Sequence, residues 1–322
     1  MKLSDHRGGV RICLKCGSGG HSNATCSGPV TSFGLVIYAN PGSGIQSGRL
    51  YPRSFTGCNI HGPGLGLELV ERVDAMGIKQ KESEVSEVSE VLFLLVERKD
   101  TVGFLNIVQG AYSDTSPYRE RKLKRYVYEL TCGERHKLVS SPFSDLWKIA
   151  GSTKRDMKKA ERRFDSLNIS DLLEKNPCSF EEADFLMPKG RLRRGETVQE
   201  CAIRESAEET GYNPSDFELI ESCPSYEEHF IGTDGKNYRN VFFVAKLKAD
   251  AKVMTPLGTD PQQSKEVRNV GWFNLYQCRK LIRGYHQRKI DILSDVSLRL
   301  QNQSSRSHKA GTICGGQIER DL

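Results

Sequence analysis

The segment at residues 190–212, which reads GRLRRGETVQECAIRESAEETGY, constrains the fold more than any other part of this chain. Thr197 and Glu200, three residues apart, form a capping box of the kind that starts a helix. Gly211 suits the left-handed backbone conformation that commonly ends one. The segment therefore predicts a loop followed by a helix over about residues 198–210.

Three glutamates of this helix lie at positions i, i+3 and i+4, so their carboxylates share one face: Glu205, Glu208 and Glu209. Like charges this close repel one another, and Mg²⁺ or Mn²⁺, which prefers oxygen ligands, offsets that repulsion. Glu196 and Arg204 can pair across the junction of loop and helix and fix the shape of the loop. A solvated acidic face is the alternative explanation of such a helix.

The same segment is similar to the Nudix box, G-x5-E-x7-R-E-U-x-E-E-x-G-U, where U is apolar, and departs from it at Ser206, which takes the first U position. This resemblance implies the α/β fold class, an α/β/α sandwich around a mixed sheet, and a metal-dependent pyrophosphohydrolase. It also implies Mg²⁺ or Mn²⁺ bound by the three glutamates and by the backbone carbonyl of Lys189 or Gly190. Lys189 and Arg191 flank the loop and can meet phosphate oxygens.

Further segments resemble the messenger-RNA decapping branch of this superfamily, in particular the enzymes of large cytoplasmic DNA viruses of the African swine fever virus, poxvirus and mimivirus types. They read LLVERKD at 94–100, GFLNIVQGAY at 103–112, SDLW at 144–147, FLMPKGR at 185–191 and IGTDGKNYR at 231–239. The resemblance covers roughly residues 32–295. It implies hydrolysis of the cap pyrophosphate, which releases 7-methylguanosine diphosphate and 5′-monophosphate RNA, and a helical insertion that contributes RNA binding.

Two carboxylates are candidates for the general base. The segment EVRNVGWF at 266–273 resembles the late strand from which related enzymes supply a carboxylate, which favours Glu266. Glu205 is the competing base. Stacking on methylated guanine needs an aromatic side chain, and the sequence does not choose among four candidates: Tyr226, Tyr238, Phe242 and Trp272.

The N-terminal segment carries a second specific pattern, C-x2-C-x4-H-x4-C, formed by Cys13, Cys16, His21 and Cys26. Its glycines let backbone amides approach the thiolate sulfurs, which is typical of a zinc knuckle. Three thiolates and one imidazole fill a tetrahedral shell, so a structural Zn²⁺ is expected. Zinc knuckles commonly bind single-stranded nucleic acid, but Leu14 offers no aromatic platform for a base. Chance spacing of reduced cysteines is the alternative.

Positive charge is concentrated in one part of the chain. The 322 residues carry a net charge of +6, and residues 119–163 hold fourteen Lys or Arg and six Asp or Glu, a net excess of eight. An excess this lopsided favours sequence-independent, salt-sensitive phosphate binding over a merely solvated face. The candidate RNA-binding residues are Lys122, Lys124, Arg125, Lys154, Arg155, Lys158, Lys159, Arg162 and Arg163.

The patterns divide the chain into five segments. These are a CCHC zinc knuckle at 1–30, the first part of the Nudix domain at 31–118 with a low-complexity Ser-Glu-Val linker near 80–90, a basic helical insertion at 119–178, the catalytic Nudix domain at 179–300 and a disordered tail at 301–322. Strands are predicted at 32–38, 91–98, 217–223, 226–231, 238–248 and 267–273, and a closing helix at about 274–284.

The ten cysteines are mostly scattered as singletons, and no N-terminal apolar run resembles a signal peptide. Both observations predict free thiols in a reducing compartment. The longest apolar runs have the length of strands, so no membrane span is expected. We therefore expect a cytoplasmic protein, located in the host cytoplasm or the viral factory if its source is a virus.

Two other functions stay open on the sequence. A Nudix pyrophosphohydrolase acting on diphosphoinositol polyphosphates or free nucleotides would use the same basic side chains for its acidic substrates. A non-catalytic RNA-binding protein would depend on the knuckle, but the intact set of acids in the box argues against it. The oligomeric state is also open.

Overall fold

The computed structural model of the protein describes residues 12–40, 43–50, 91–112, 117–152, 155–232, 234–253, 255–261 and 263–311. The Ser-Glu-Val linker near 80–90 and residues 312–322 lie outside these ranges, as does Lys154.

The described residues form six helices before the acidic segment at 190–212 and four from that segment onward. In chain order they are α1 (Val102–Val108), α2 (Tyr118–Glu129), α3 (Cys132–Ser140), α4 (Phe143–Ala150), α5 (Met157–Asp165), α6 (Ile169–Glu174), α7 (Val198–Thr210), α8 (Gln263–Glu266), α9 (Leu275–Leu281) and α10 (Gln287–Gly311).

The described strands form one mixed sheet of nine strands. In chain order they are β1 (Val30–Ala39), β2 (Gly48–Arg49), β3 (Leu92–Arg98), β4 (Phe185–Leu186), β5 (Lys189–Gly190), β6 (Phe217–Leu219), β7 (Tyr226–Ile231), β8 (Asn237–Leu247) and β9 (Val267–Phe273). The sheet order is β2-β9-β3-β1-β8-β6, with β4 on β3, β5 on β1 and β7 on β8.

Strand β1 organises the sheet. It pairs in parallel with β8 along most of its length, while the other described pairs are antiparallel. The short strand β5 also pairs with β1, with Gly190 opposite Phe33. The two backbones approach so closely that a Cβ added at Gly34 would lie 2.1 Å from the Pro188 carbonyl oxygen. A glycine at this position therefore brings the segment around residue 190 against the centre of the sheet.

Helices cover both faces of the sheet, because successive side chains of a strand point to opposite sides. Leu35 and Ile37 of β1 belong to the buried cluster that α7 covers. Val36 and Tyr38 belong to the cluster on the other face, which α9 and α10 cover. This arrangement confirms the predicted α/β/α sandwich around a mixed sheet.

Helix α7 has the limits that the sequence predicts. Glu200 N–H donates to Thr197 Oγ1 at 3.2 Å, and Thr197 N–H donates to Glu200 Oε2 at 2.7 Å, which completes the capping box. Gly211 ends the helix with φ +80°. Ser206 lies on the buried face of α7, and its hydroxyl has no hydrogen-bond partner among the described residues.

Helices α1 to α6 form a helical body with its own core, which includes Phe104, Val127 and Leu146. It begins with α1 at Val102, ahead of the expected boundary at residue 119, because α1 packs against α2 and α4. The helical body therefore contains the predicted basic insertion together with one preceding helix.

One arginine joins the helical body to the sheet. Arg283, which follows α9, donates from Nη1 to the Glu129 carbonyl oxygen and from Nη2 to the Glu182 carbonyl oxygen, each at 2.7 Å. Its guanidinium also lies 3.9 Å from the centre of the Phe180 ring. A buried cation whose N–H groups donate to backbone carbonyl oxygens thus holds the two bodies together.

Two expectations are wrong. Helix α10 continues through residues 301–311, where a disordered tail is predicted. Five of its apolar residues are buried against the sheet: Ile290, Ile292, Leu293, Val296 and Leu300. Cys132 and Cys178 form a disulfide, so the prediction of free thiols fails for this pair. Among the described helices, none has both the length and the apolar character that a membrane span requires.

Candidate functional site

The loop before α7 is fixed to the helix by an ion pair. Arg204 donates from Nε to Glu196 Oε2 at 2.9 Å and from Nη2 to Glu196 Oε1 at 2.8 Å, as the sequence predicts. These hydrogen bonds lower the pKa of Glu196 to about 2. Nη2 of Arg204 also donates to the Arg191 carbonyl oxygen at 2.9 Å. Arg204 therefore binds the loop at two places, the Glu196 side chain and the Arg191 backbone.

Two of the three helix glutamates face the backbone of this loop. The Glu205 carboxylate lies over Gly190, where an added Cβ would be 2.0 Å from its carboxylate carbon. Nη1 of Arg204 donates to Glu205 at 2.7 Å. Glu209 Oε2 accepts a hydrogen bond from the Lys189 backbone N–H at 3.1 Å. Both carboxylates therefore lie where the loop passes closest to α7.

Glu208 has a different environment. It accepts two hydrogen bonds from Arg193, at 2.8 and 3.0 Å, and one from Arg204 at 3.3 Å. Its side chain is 38% exposed, more than that of Glu205. The structure thus brings two of the predicted metal ligands to the loop and holds the third between two arginines. Sequence reasoning missed Arg193, because this contact depends on how the loop folds back along the helix.

A cleft of about 360 Å³ opens between the sheet and the helical body. Its lining on the sheet side includes Lys189, Glu209 and Glu266, three residues that the sequence assigns to the site. Leu105 of α1 and Ile149 of α4 line it from the helical body. Glu266 is the last residue of α8, directly before β9. A candidate base and a candidate metal ligand therefore share one cavity.

The charged groups of this cleft influence one another. Burial, together with the negative charges of Glu205 and Glu266, raises the pKa of Glu209 to about 7 against the opposing effect of Lys189. Burial also lowers the pKa of Lys189, which the charge of Glu209 opposes. Carboxylate oxygens beside a backbone carbonyl are the donors that Mg²⁺ and Mn²⁺ prefer. The residues present therefore fit the predicted ion.

Residues 172–296, which include the loop, α7 and the acids of the cleft, match the family model described as "NUDIX domain". The chain contains a NUDIX domain. Strands β1 and β3 precede the matched residues and complete the sheet on which the NUDIX site is built.

A protein of Acanthamoeba polyphaga mimivirus named "Putative mRNA-decapping protein" is 26% identical over 349 residues, which cover 90% of this chain and 94% of that protein. Among solved structures, a C. elegans Ap4A hydrolase binary complex is 14% identical over 84% of this chain and 98% of its own, with a TM-score of 0.36. A Nudix hydrolase from M. smegmatis, RenU, is 10% identical over 84% of this chain and 86% of its own, with a TM-score of 0.32. The sequence relationship to the viral protein extends over most of this chain.

The N-terminal pattern forms a compact cluster beside the NUDIX sheet. The ligand atoms of Cys13, Cys16, His21 and Cys26 lie within 4.8 Å of one another, and no other such group occurs in the described part of the chain. Three sulfurs and one imidazole fit tetrahedral Zn²⁺. Burial acts to raise the pKa of the Cys16 thiol, but hydrogen bonds, the strongest from the Ser18 backbone N–H, lower it to about 6. This favours the thiolate, the form that binds metal.

The four aromatic candidates for stacking on the methylated guanine differ in how far they are buried. Phe242 and Trp272 are fully buried and Tyr226 is nearly so. Tyr238 is partly exposed, and its ring stacks on that of Phe230 with 5.4 Å between centroids and 14° between planes. Phe230, which sequence reasoning missed, is 43% exposed. Only the cross-strand pairing of β7 and β8 brings these two rings together.

The basic residues of the helical body lie on two helices. Lys122, Lys124 and Arg125 belong to α2, Arg155 precedes α5, and Lys158, Lys159, Arg162 and Arg163 belong to α5. All are exposed except Lys122 and Arg163, which are half-buried. Arg163 donates to the carbonyl oxygens of Gly110 and Tyr112 at 2.8 and 3.2 Å and so ties α5 to the end of α1. Arg163 therefore binds backbone atoms outside its own helix, which distinguishes it from the other seven basic residues.

Proposed function

We propose that this chain is a metal-dependent Nudix hydrolase that decaps messenger RNA, releasing 7-methylguanosine diphosphate and 5′-monophosphate RNA. The observation that carries the proposal is the meeting of Lys189, Glu209 and Glu266 in one cleft, beside Glu205. The NUDIX match supports hydrolysis of a pyrophosphate bond. The name of the mimivirus relative supports capped RNA as the substrate.

Mg²⁺ or Mn²⁺ would be held by Glu205 and Glu209, with Glu208 and the Gly190 carbonyl as the further ligands that the sequence suggests. When bound, the ion supplies positive charge to the phosphate oxygens and lowers the pKa of a bound water. Arg204 donates to Glu205 and keeps this carboxylate oriented toward the loop. Its pairing with Glu196 is therefore part of the same support.

Glu266 takes the proton from the attacking water in this proposal. Its side chain lines the cleft beside Glu209. Glu205 already accepts a charge-assisted hydrogen bond from Arg204 at 2.7 Å, so one of its oxygens is engaged by a cation. The water oxygen bonds to phosphorus, the anhydride P–O bond breaks, and the RNA leaves with a 5′-monophosphate.

The remaining parts of the substrate meet other surfaces. Lys189 and Arg191 bind phosphate oxygens, and the methylated guanine stacks against Tyr238, the one of the four aromatic candidates that is not buried. The RNA body follows the basic residues of α2 and α5, with salt-sensitive and sequence-independent affinity. Capped messenger RNA occurs in the cytoplasm, or in a viral factory if the source is a virus. We place the activity there.

The test uses RNA labelled in the cap phosphates, incubated with the full chain and Mn²⁺ or Mg²⁺, and identifies the released nucleotide by chromatography. Release of 7-methylguanosine diphosphate is the expected result, and Glu209→Gln and Glu266→Gln should each abolish most of it. Cleavage of free nucleotides or diphosphoinositol polyphosphates with no release from capped RNA would replace this proposal by the small-substrate function.

A further inference from the structure

The N-terminal knuckle is packed on the NUDIX sheet. Gly17 lies so close to β1 that an added Cβ would be 2.3 Å from Cζ of Phe33. Leu14 packs against the core cluster that α7 covers. The backbone N–H of Thr31 donates to the Lys15 carbonyl oxygen at 2.7 Å. The knuckle and the start of β1 therefore form one continuous unit.

A series of hydrogen bonds runs from the knuckle to the NUDIX loop. Arg239 of β8 donates from Nη2 to the Cys16 carbonyl oxygen at 2.9 Å and from Nε to Thr31 Oγ1 at 3.4 Å. The carbonyl oxygen of Thr31, a fully buried residue, accepts from Nη1 of Arg191 at 3.1 Å. Arg204 binds the carbonyl oxygen of the same Arg191. Arg191 is thus held by α7 at its backbone and by the knuckle-bearing strand at its side chain.

The orientation of Arg191 bears on substrate binding. This residue is exposed, and its guanidinium lies 5.6 Å from the centre of the Tyr238 ring. A guanidinium carries five N–H donors in a rigid fork, so one bond to Thr31 fixes the group and leaves other donors for phosphate oxygens. A long side chain that is ordered before binding loses less conformational entropy when the ligand arrives.

We propose that the zinc knuckle is a positioning element of the NUDIX site, which presents Arg191 to the pyrophosphate of the substrate. With Zn²⁺ bound, the knuckle would fix the Cys16 carbonyl oxygen and, through it, Arg239 and Thr31. The inference rests on the proposed function. Direct binding of RNA bases by the knuckle is the competing outcome, which the inward packing of Leu14 disfavours.

The first test needs no catalytic activity. Cys26→Ala removes one zinc ligand, and Cys26→His offers an imidazole that zinc also accepts. Zinc content is measured on the purified full chain, together with deuterium uptake by peptides that cover residues 188–195. We expect Cys26→Ala to lose zinc and to exchange faster in this segment, and Cys26→His to match the unaltered protein in both. Zinc loss with unchanged exchange would overturn the positioning role.

The second test uses the cap dinucleotide m7GpppG, which has no RNA body, and adds Arg239→Gln, which leaves all zinc ligands in place. Each of three changes loosens or removes one charged hydrogen-bonding group: Cys26→Ala, Arg239→Gln and Arg191→Met. We therefore expect each variant to have a KM about tenfold higher and a kcat changed by less than about twofold. Cys26→Ala combined with Arg191→Met should be no worse than Arg191→Met alone, since both act through one side chain.

Additive effects in the double variant, or a defect confined to long capped RNA, would show that the knuckle binds RNA directly and would overturn the proposal. If the unaltered protein cleaves neither capped RNA nor the dinucleotide, the proposed function fails, and the deuterium-exchange result still decides whether the knuckle orders the loop.

Discussion

Arg283 donates a hydrogen bond to the carbonyl oxygen of Glu129 at 2.7 Å, across the boundary between the NUDIX domain and the helical body. The same guanidinium pairs with the buried Asp184 at 3.5 Å. The candidate cleft is lined by residues of the two bodies that this arginine joins.

Replacing Arg283 by methionine should therefore destabilise the protein strongly. The change leaves the Asp184 carboxylate buried without its arginine and removes the donors of two backbone carbonyls, at a cost of roughly 3–5 kcal/mol. Chemical denaturation monitored by circular dichroism measures the difference. Arg279→Met, on the exposed side of α9, is the matched control, and equal small losses in both variants would contradict the role of Arg283.

The pairing of Glu196 with Arg204 predicts a pH dependence of stability. The folded-state pKa of Glu196 is about 2, below the ordinary value of 4.5. A depressed pKa contributes stability that is fully present above pH 4.5 and is lost as the pH falls toward 2. Glu196→Gln should therefore lower the free energy of unfolding at pH 7 by roughly 1–2 kcal/mol, after allowance for solvent screening.

The difference between Glu196→Gln and the unaltered protein should shrink between pH 4.5 and 2, as measured by denaturant titrations at several pH values. Glu221→Gln, at an exposed position before β7, serves as the control and should show no such trend. A difference that stays constant across this range would show that the ion pair is not its origin.

Ser206 predicts a stabilising substitution. Its hydroxyl is buried and has no partner among the described residues, so Ser206→Ala removes an unpaired polar group without leaving a large cavity. We expect the free energy of unfolding to rise by about 1 kcal/mol. Ser294→Ala is the control, because that hydroxyl donates to the Ile290 carbonyl oxygen at 2.8 Å and its loss should not stabilise. A lower melting temperature for Ser206→Ala would contradict this account.

The elements that the sequence predicts well are those with local signals. The limits of α7 follow from Thr197, Glu200 and Gly211, which act within a few residues of the helix ends. Helix α10 also had a readable signal, since Ile290, Leu293 and other apolar residues recur at helical spacing, but the polar residues between them obscured it.

Contacts between distant segments were not predictable in the same way. The stack of Phe230 on Tyr238 depends on the register of β7 and β8. The disulfide joins Cys132 to Cys178, 46 residues apart, and no spacing rule marks the two as partners. Such relationships arise from the packed fold and have no counterpart in a local pattern.

The exposed basic residues of α5 predict how salt affects RNA binding. Replacing Lys158, Lys159 and Arg162 together by alanine removes up to three phosphate contacts, so the slope of log affinity against log salt should decrease by roughly 2 for single-stranded RNA. Filter binding of capped RNA to the Glu266→Gln protein at several salt concentrations measures this slope without turnover. An unchanged slope would show that the RNA follows another surface.

Direct identification of the cleavage product tests the proposed decapping activity. RNA with labelled cap phosphates is incubated with the full chain and Mn²⁺, and Glu209→Gln serves as the control. We expect labelled 7-methylguanosine diphosphate from the unaltered protein and little or none from the variant. Intact capped RNA after incubation, or release of equal product by Glu209→Gln, would contradict it.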